Sequence, residues 1–275
     1  LDEGSKSKGD ILFLADAGAL YSAEKKKLFT KYIENGPLKL IPTSLKNEYW
    51  LGITKRARII FYNPNLVDYD EIKNFSYENL SNSKWRKSIA IRQSNNIYNQ
   101  SLVASIIEHK GENFTKKWLN NFVKNFSRKP QGNDRAQILS VAAGESKLAI
   151  ANTYYYALML SGKKGEEQKK AAQKVKPIFP NQNGRGTHIN ISGAGILKFS
   201  PNKKNAQKFI EFLLTKDAQT LLCNSSFEFP IIKNVPTNKL INDIKNFKED
   251  IVINVSSYGK RQAQAFKLMK KAGWN

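Results

Sequence analysis

The chain has 275 residues, 40% of them apolar, with 45 lysines and arginines against 23 aspartates and glutamates, a net charge of +22. Such a balance makes nucleic acid the first partner to weigh, but 37 of the cations are lysine, only eight are arginine, and they are scattered through every segment. They read as a solvated surface with no specific nucleic-acid function, because planar readers of phosphate and bases lean on arginine; the single cysteine, Cys223, excludes an intrachain disulfide and a thiolate metal cluster.

The length suffices for one large core or two ordinary ones, and alternating strand and helix patterns predict an α/β fold. No run of 18 apolar residues suggests a membrane span. Residues 10–15 read as a strand leading into a helix over 19–32, broken at Asn35-Gly36-Pro37. Residues 49–62 form a long β-rich segment ended by Asn63-Pro64, with Lys55, Arg56 and Arg58 amid apolar neighbours. A strand of that length can run from one lobe to another, and buried cations on it would serve an anionic or metal-phenolate site. Residues 69–80 are a short helical connection. A buried strand over 88–91 then leads through a polar turn to an amphipathic helix over 96–110, closed by Gly111.

A second helix is expected over 114–126, and another over 134–143 that ends at Gly144. The run 147–151 reads as a buried strand, Thr153 as a helix N-cap, and Tyr154, Tyr155 and Tyr156 as the opening turn of the helix that follows. Tyr98 occupies the same place in the helix that starts at 96. One device is therefore repeated: strand, polar turn with a capping residue, tyrosine in the first helical turn. Strand ends that feed helices are where open α/β sheets hold ligands, and the two phenol-bearing ends can face one cleft. Successive helical positions turn about 100°, so three tyrosines cannot share a face, and filling a core edge is the commoner role of such residues.

Residues 166–174 read as a charged helix and 175–179 as a short strand. The glycine-rich loop 180–188 precedes a strand over 188–197, so it fits an inter-lobe crossing better than a phosphate cradle, which opens a helix. Helices are expected over 203–214, 217–223, 237–247 and within 256–271, with 229–232 extended. Cys223 falls in an apolar helix as packed core, and His109 and His188 are too few for a usual zinc site. A nucleotide-using transferase would need a nucleophile-base pair or a carboxylate dyad near 181–187, and none stands there in sequence.

Six stretches, KRARIIFYN (55–63), SNNIYNQSL (94–102), GND (132–134), ANTYYY (151–156), FPNQNGRGTHINISG (179–193) and SYGK (257–260), resemble the ferric iron-binding substrate-binding proteins of ABC importers, the cyanobacterial FutA/IdiA type. The resemblance implies a two-lobed periplasmic-binding-protein fold of type II with hinge-crossing strands, and a non-catalytic, monomeric periplasmic protein. Such a protein holds Fe(III) by tyrosinate oxygens and hands it to an ABC permease in the inner membrane. Lobe 1 would comprise residues 1–60 and 186–235, lobe 2 residues 61–185 and 236–275. Tyr98, Tyr154 and Tyr155 are the implied metal ligands, and Tyr156 should lean onto its own lobe's core. The family often carries an arginine three positions after the second tyrosine; Leu158 stands there, and Arg58 is the candidate counter-charge.

The family also begins with a strand and helix that bear another Tyr or His ligand. Against that pattern, the start at LDEG is expected to lack roughly 40 to 50 residues, one βα unit. Such a chain would fold poorly by itself because a sheet edge would lie open.

Overall fold

A computed structural model describes residues 4–275. In chain order its main elements are β1 (Ile11–Ala15), α1 (Ala17–Lys25), β2 (Leu51–Tyr62), β3 (Ile89–Ala90), α2 (Ile97–Phe122), α3 (Asp134–Ala142), β4 (Leu148–Asn152) and α4 (Thr153–Leu160). There follow α5 (Glu166–Gln173), β5 (Lys176–Ile178), β6 (Ile189–Ile196), α6 (Lys203–Leu213), α7 (Lys216–Ser226), β7 (Phe229–Pro230), α8 (Lys239–Asn242) and α9 (Ser256–Lys271).

β2 is the spine. Its β-branched and aromatic residues suit a pleated surface buried on both faces, and eleven of its twelve residues are buried. Ile53, Ile59, Ile60 and Phe61 are closed off from solvent almost completely, each contributing about 1.5–3 kcal/mol of transfer free energy. Pro64 follows the strand's end, and Asn63 closes the turn by accepting from the Asn65 amide at 3.0 Å. The first part of β2 pairs antiparallel with β6, from Leu51 opposite Ala194 to Ala57 opposite Ile189. From Arg58 onward the partner is β4, with Arg58 opposite Asn152 and Tyr62 opposite Leu148. β1 adds to β6, β3 adds in parallel to β4, and β5 and β7 attach to β2. One strand thus serves two pairing fields, and the exchange happens at Arg58.

Helices cover the sheet, and one hydrophobic cluster runs through both fields. α9 lies against α1 and α2. Its close approach to α1 depends on Gly259, where a Cβ would sit 2.3 Å from the Tyr21 Cβ. Past its end Trp274 is buried edge-on against Phe122 and Phe126, at centroid distances of 5.4 and 5.3 Å. No helix among the described residues is long and apolar enough to cross a membrane.

Four local expectations are corrected. α1 stops at Lys25 instead of 32: Lys27 takes φ 56°, and residues 28–30 are drawn alongside the end of β6, where the Thr30 amide donates to the Ile196 carbonyl at 2.9 Å. Gly111 does not close its helix but kinks it, with φ 79° and ψ 167°, and helix resumes to Phe122. The N-cap of α4 is Asn152, not Thr153. Thr153 is already helical, and its hydroxyl accepts from the Ala57 amide at 3.3 Å. The helix expected over 237–247 survives only as α8, because the segment after it pairs with the glycine-rich loop: the Thr187 amide donates to Lys248 and the Asp250 amide to Thr187.

At Gly111 the backbone occupies a region open essentially to glycine alone, and an added Cβ would meet nothing within 4 Å. Any cost of substitution there is backbone strain. Gly111→Ala should destabilise by about 1–3 kcal/mol, and Gly111→Asn, which helps only where the left-handed helical region is needed, should not recover it. Urea unfolding midpoints at constant m-value check this; a rescue by asparagine would contradict it.

Candidate metal centre

Each of the three predicted phenols sits in the first turn of a helix. Asn96 caps α2 by accepting from the Asn99 amide, which places Tyr98 one residue inside. β4 runs without a loop into α4, which places Tyr154 and Tyr155 at its mouth. The two helix starts face each other: the Tyr154 hydroxyl donates to the Tyr98 hydroxyl at 3.3 Å. The Tyr154 and Tyr155 rings lie 4.2 Å apart at 32°. Tyr156 turns away, packs on Phe61 at 5.0 Å, and donates to the Val175 carbonyl at 3.4 Å. Burial, and then the neighbouring phenols Tyr98 and Tyr155, push the Tyr154 hydroxyl well above the ordinary phenol range. Burial alone takes Tyr156 up to about 12.

Residues two apart on a strand share a face. Arg56 and Arg58 therefore line one cavity with Tyr98, Asn152, His188 and Asn190, while Lys55 points to the other face and pairs with Glu249 at 2.7 Å. The two arginines differ in their commitments. Arg58 donates to Asp134 and Asn152 at 3.1 Å each and to Asn99 at 2.6 Å. Among the described residues Arg56 donates only to Ser192, at 3.1 Å, with Glu228 and Asp16 at ion-pair distances of 3.6 and 3.7 Å. Its guanidinium carbon lies 5.3 Å from the Tyr98 ring centroid, and that of Arg92 lies 5.8 Å from the same centroid. Burial works against the Arg56 charge, but Glu228, Asp16, Tyr98 and Tyr154 outweigh it and hold its pKa above the usual value.

Among the described residues Arg56 thus keeps two unpaired donors beside the phenols, Nε and Nη2, and the sequence candidate Arg58 keeps one, Nε. The other nitrogens of Arg58 are spent on holding the frame. Strand alternation from Arg58 would have pointed to Arg56. Arg92 carried no such signal, since it lies in the turn after β3 and reaches Tyr98 only through the tertiary fold.

Several buried donors here have no hydrogen-bond partner among the described residues: Arg56 Nε and Nη2, Arg58 Nε and Asn152 Nδ2. An unpaired buried donor costs about 1–3 kcal/mol, and an oxygen acceptor is the partner that would satisfy these. Asp16, wholly buried beside it, has its carboxyl pushed up to about 6 by desolvation against the pull of Arg56. No group of three or more His, Cys, Asp or Glu able to hold a metal occurs among the described residues. The donor set on offer is phenolic oxygen backed by guanidinium, which suits a hard, highly charged cation able to ionise phenols that ordinarily titrate near 10.

A family model described as bacterial extracellular solute-binding protein matches residues 6–249. Iron uptake protein A1 of Synechocystis sp. is 42% identical over 274 residues, covering 99% of this chain and 75% of that protein. Among solved structures, FutA (IdiA) of Trichodesmium in complex with iron and citrate matches with a TM-score of 0.96 at 43% identity, over 100% of this chain and 86% of that one. A ferric binding protein from Campylobacter jejuni matches with a TM-score of 0.91 at 36% identity, over 99% and 86%. With a family match over most of its length and relatives above 40% identity, the chain belongs to the bacterial extracellular solute-binding proteins, of the FutA/IdiA type, and has their two-lobed α/β fold.

Proposed function

We propose that the protein captures Fe(III) in its inter-lobe cleft through the phenolate oxygens of Tyr98, Tyr154 and Tyr155 and delivers it to an ABC permease. The observation that carries this is the convergence of two helix starts: hydroxyls 56 residues apart in sequence stand 3.3 Å apart. Iron is the cargo, so the protein's work is to bind, orient and release. The hydroxyls meet at the helix N-termini, where negative charge is favoured. Arg56 and Arg92 supply counter-charge as phenols ionise, and Arg58 fixes the strand beneath them. The lobe division at 1–60 with 186–235 against 61–185 with 236–275 is supported by the partner exchange on β2 at Arg58. The reading makes the protein a monomer that works outside the cytoplasmic membrane, free in the periplasm or held at the membrane surface; the extracellular solute-binding family supports the location.

Ferric titrations followed by visible absorbance test the ligand set. Tyr98→Phe, Tyr154→Phe and Tyr155→Phe each remove an anionic oxygen and keep the ring. Affinity should fall by more than about 100-fold, beyond the 10–100-fold usual for outer-sphere partners, with loss of the phenolate-to-iron colour. Tyr156→Phe should leave colour and affinity intact at a stability cost of about 1 kcal/mol. Equal losses in all four variants would overturn the assignment. Arg56→Gln should weaken ferric binding by about tenfold and leave the colour's intensity in place.

The proton balance has a definite sign. A phenol held above its ordinary range is protonated at neutral pH, so a ferric ion that takes it as phenolate expels that proton, and affinity rises with pH by about tenfold per unit for each proton released. Calorimetry in buffers of different ionisation enthalpy counts the protons. Tyr154→Phe should reduce the count by about one; an unchanged count would show that Tyr154 does not ionise on binding.

A further inference from the structure

We propose that Asp134 is a positioning residue of the metal centre, the carboxylate that together with Arg58 fixes the two phenol-bearing helix starts against each other. Asp134 is fully buried at the first position of α3, where the helix N-terminus favours its negative charge. Its two oxygens serve three different segments. Oδ2 accepts from the backbone amide of Asn152 at 2.8 Å, and Asn152 is the N-cap of the helix that carries Tyr154 and Tyr155. Oδ2 also accepts from Arg58 at 3.1 Å, at the point where β2 exchanges partners. Oδ1 accepts from Arg92 at 3.1 Å.

Arg92 and Arg58 in turn hold the other helix start. The Arg92 carbonyl accepts from Asn99 Nδ2 at 3.0 Å, one residue beyond Tyr98, and Arg58 donates to Asn99 Oδ1 at 2.6 Å. The Trp274 indole donates to the same Arg92 carbonyl at 2.8 Å, which ties the turn to the chain's C-terminal end. The Arg92 guanidinium lies over the Tyr98 ring, and burial's pull on its charge is outweighed by Asp134 and Tyr155. Asp134 touches no phenol, yet the start of α4 hangs on it directly and the start of α2 through two arginines. This carboxylate takes two guanidinium groups: that of Arg58 also donates to Asn99, and Arg92 holds Asn99 through its backbone carbonyl.

The inference rests on the ferric reading of the site, so its test has one arm that uses the metal and one that does not. In the full-length protein, Asp134→Asn keeps the volume but loses the charge and one acceptor. Ferric affinity should fall by about 10–100-fold, and the maximum of the charge-transfer band should shift because the phenols meet the metal in altered geometry. In the metal-free protein, amide exchange should quicken at residues 96–100 and 152–156 and stay unchanged in α6. Ile138→Val, a core change in the same helix, is the control for lost stability and should move neither band nor local exchange. In the Arg92→Gln background the further effect of Asp134→Asn on the band should shrink, since the two act through one contact. Normal band and normal exchange in Asp134→Asn, or equal changes in Ile138→Val, would overturn the proposal. If the parent protein takes up no ferric iron, the exchange arm still decides whether Asp134 fixes the helix starts. Should Asp134→Asn not fold, Arg92→Gln, whose side chain is partly exposed, carries both arms: quickened exchange at 96–100 supports the proposal and unchanged exchange refutes it.

Discussion

The burial of Arg58 is the constraint on which the rest of the structure depends. Removing a guanidinium from water costs several kcal/mol unless other groups replace its hydration, and at Arg58 the replacement is assembled from three elements. Asp134 comes from the start of α3, Asn152 from the end of β4, and Asn99 from the first turns of α2. Because the strand carrying Arg58 changes partner at that residue, the same charge that must be satisfied also registers β4 against β2. Tyr77 closes the arrangement from another direction, donating to the Arg58 carbonyl at 2.5 Å and accepting from the His188 amide at 3.1 Å. The polar network is thus the frame of the cleft, and the phenols are mounted on it.

The division of labour between the two cation types follows from their chemistry. Arginine's fixed fork of donors can be matched by carboxylates and amides in a dry interior, whereas lysine's compact, strongly hydrated ammonium stays in water. Arg56, Arg58 and Arg92 accordingly surround the site, while most lysines are exposed; Lys46 is a buried exception, paired with Glu34 and the Leu38 carbonyl. The net charge of +22 therefore describes the solvated shell. It bears on solubility and long-range attraction to anionic surfaces, and little on the site, whose own charges are balanced locally by Asp16, Asp134 and Glu228.

Around the hinge side of β2, the chain's crossings are pinned by short-range polar contacts. The loop before β6 is held by Gly186 and Gly184 amides on the Asn181 carbonyl, and by Arg185 between Glu78 and Asp250. His109 meets the same Asp250 at 2.7 Å. Glycine is required at 186, where φ is 99° and a Cβ would press on the Glu249 backbone at 2.6 Å. The Arg185 and His109 contacts join segments more than 60 residues apart and tie the loop to them, while Lys55 and Glu249 mark the face turned away from the phenols.

What the sequence determined by itself was whatever depends on local pattern: the α/β alternation, the long apolar strand with its internal cations, and the repeated strand, polar turn and tyrosine. α9 fills the window 256–271 within which an amphipathic helix was expected. What failed locally failed where tertiary pairing competed with propensity, as at residues 26–32, drawn to the end of β6, and at 243–247, which lead into the residues 248–250 that pair with the glycine-rich loop. For the site, residue type and motif offered Tyr98, Tyr154, Tyr155 and Arg58. Only the tertiary structure showed Arg58 bonded to Asp134, Asn152 and Asn99 while Arg56 keeps two open donors, and only it brought Arg92 to Tyr98 and Asp134 to Arg92. The physical reason is that which partner a buried charge finds is settled by segments 40 to more than 170 residues apart packing together, and no local pattern carries that distance.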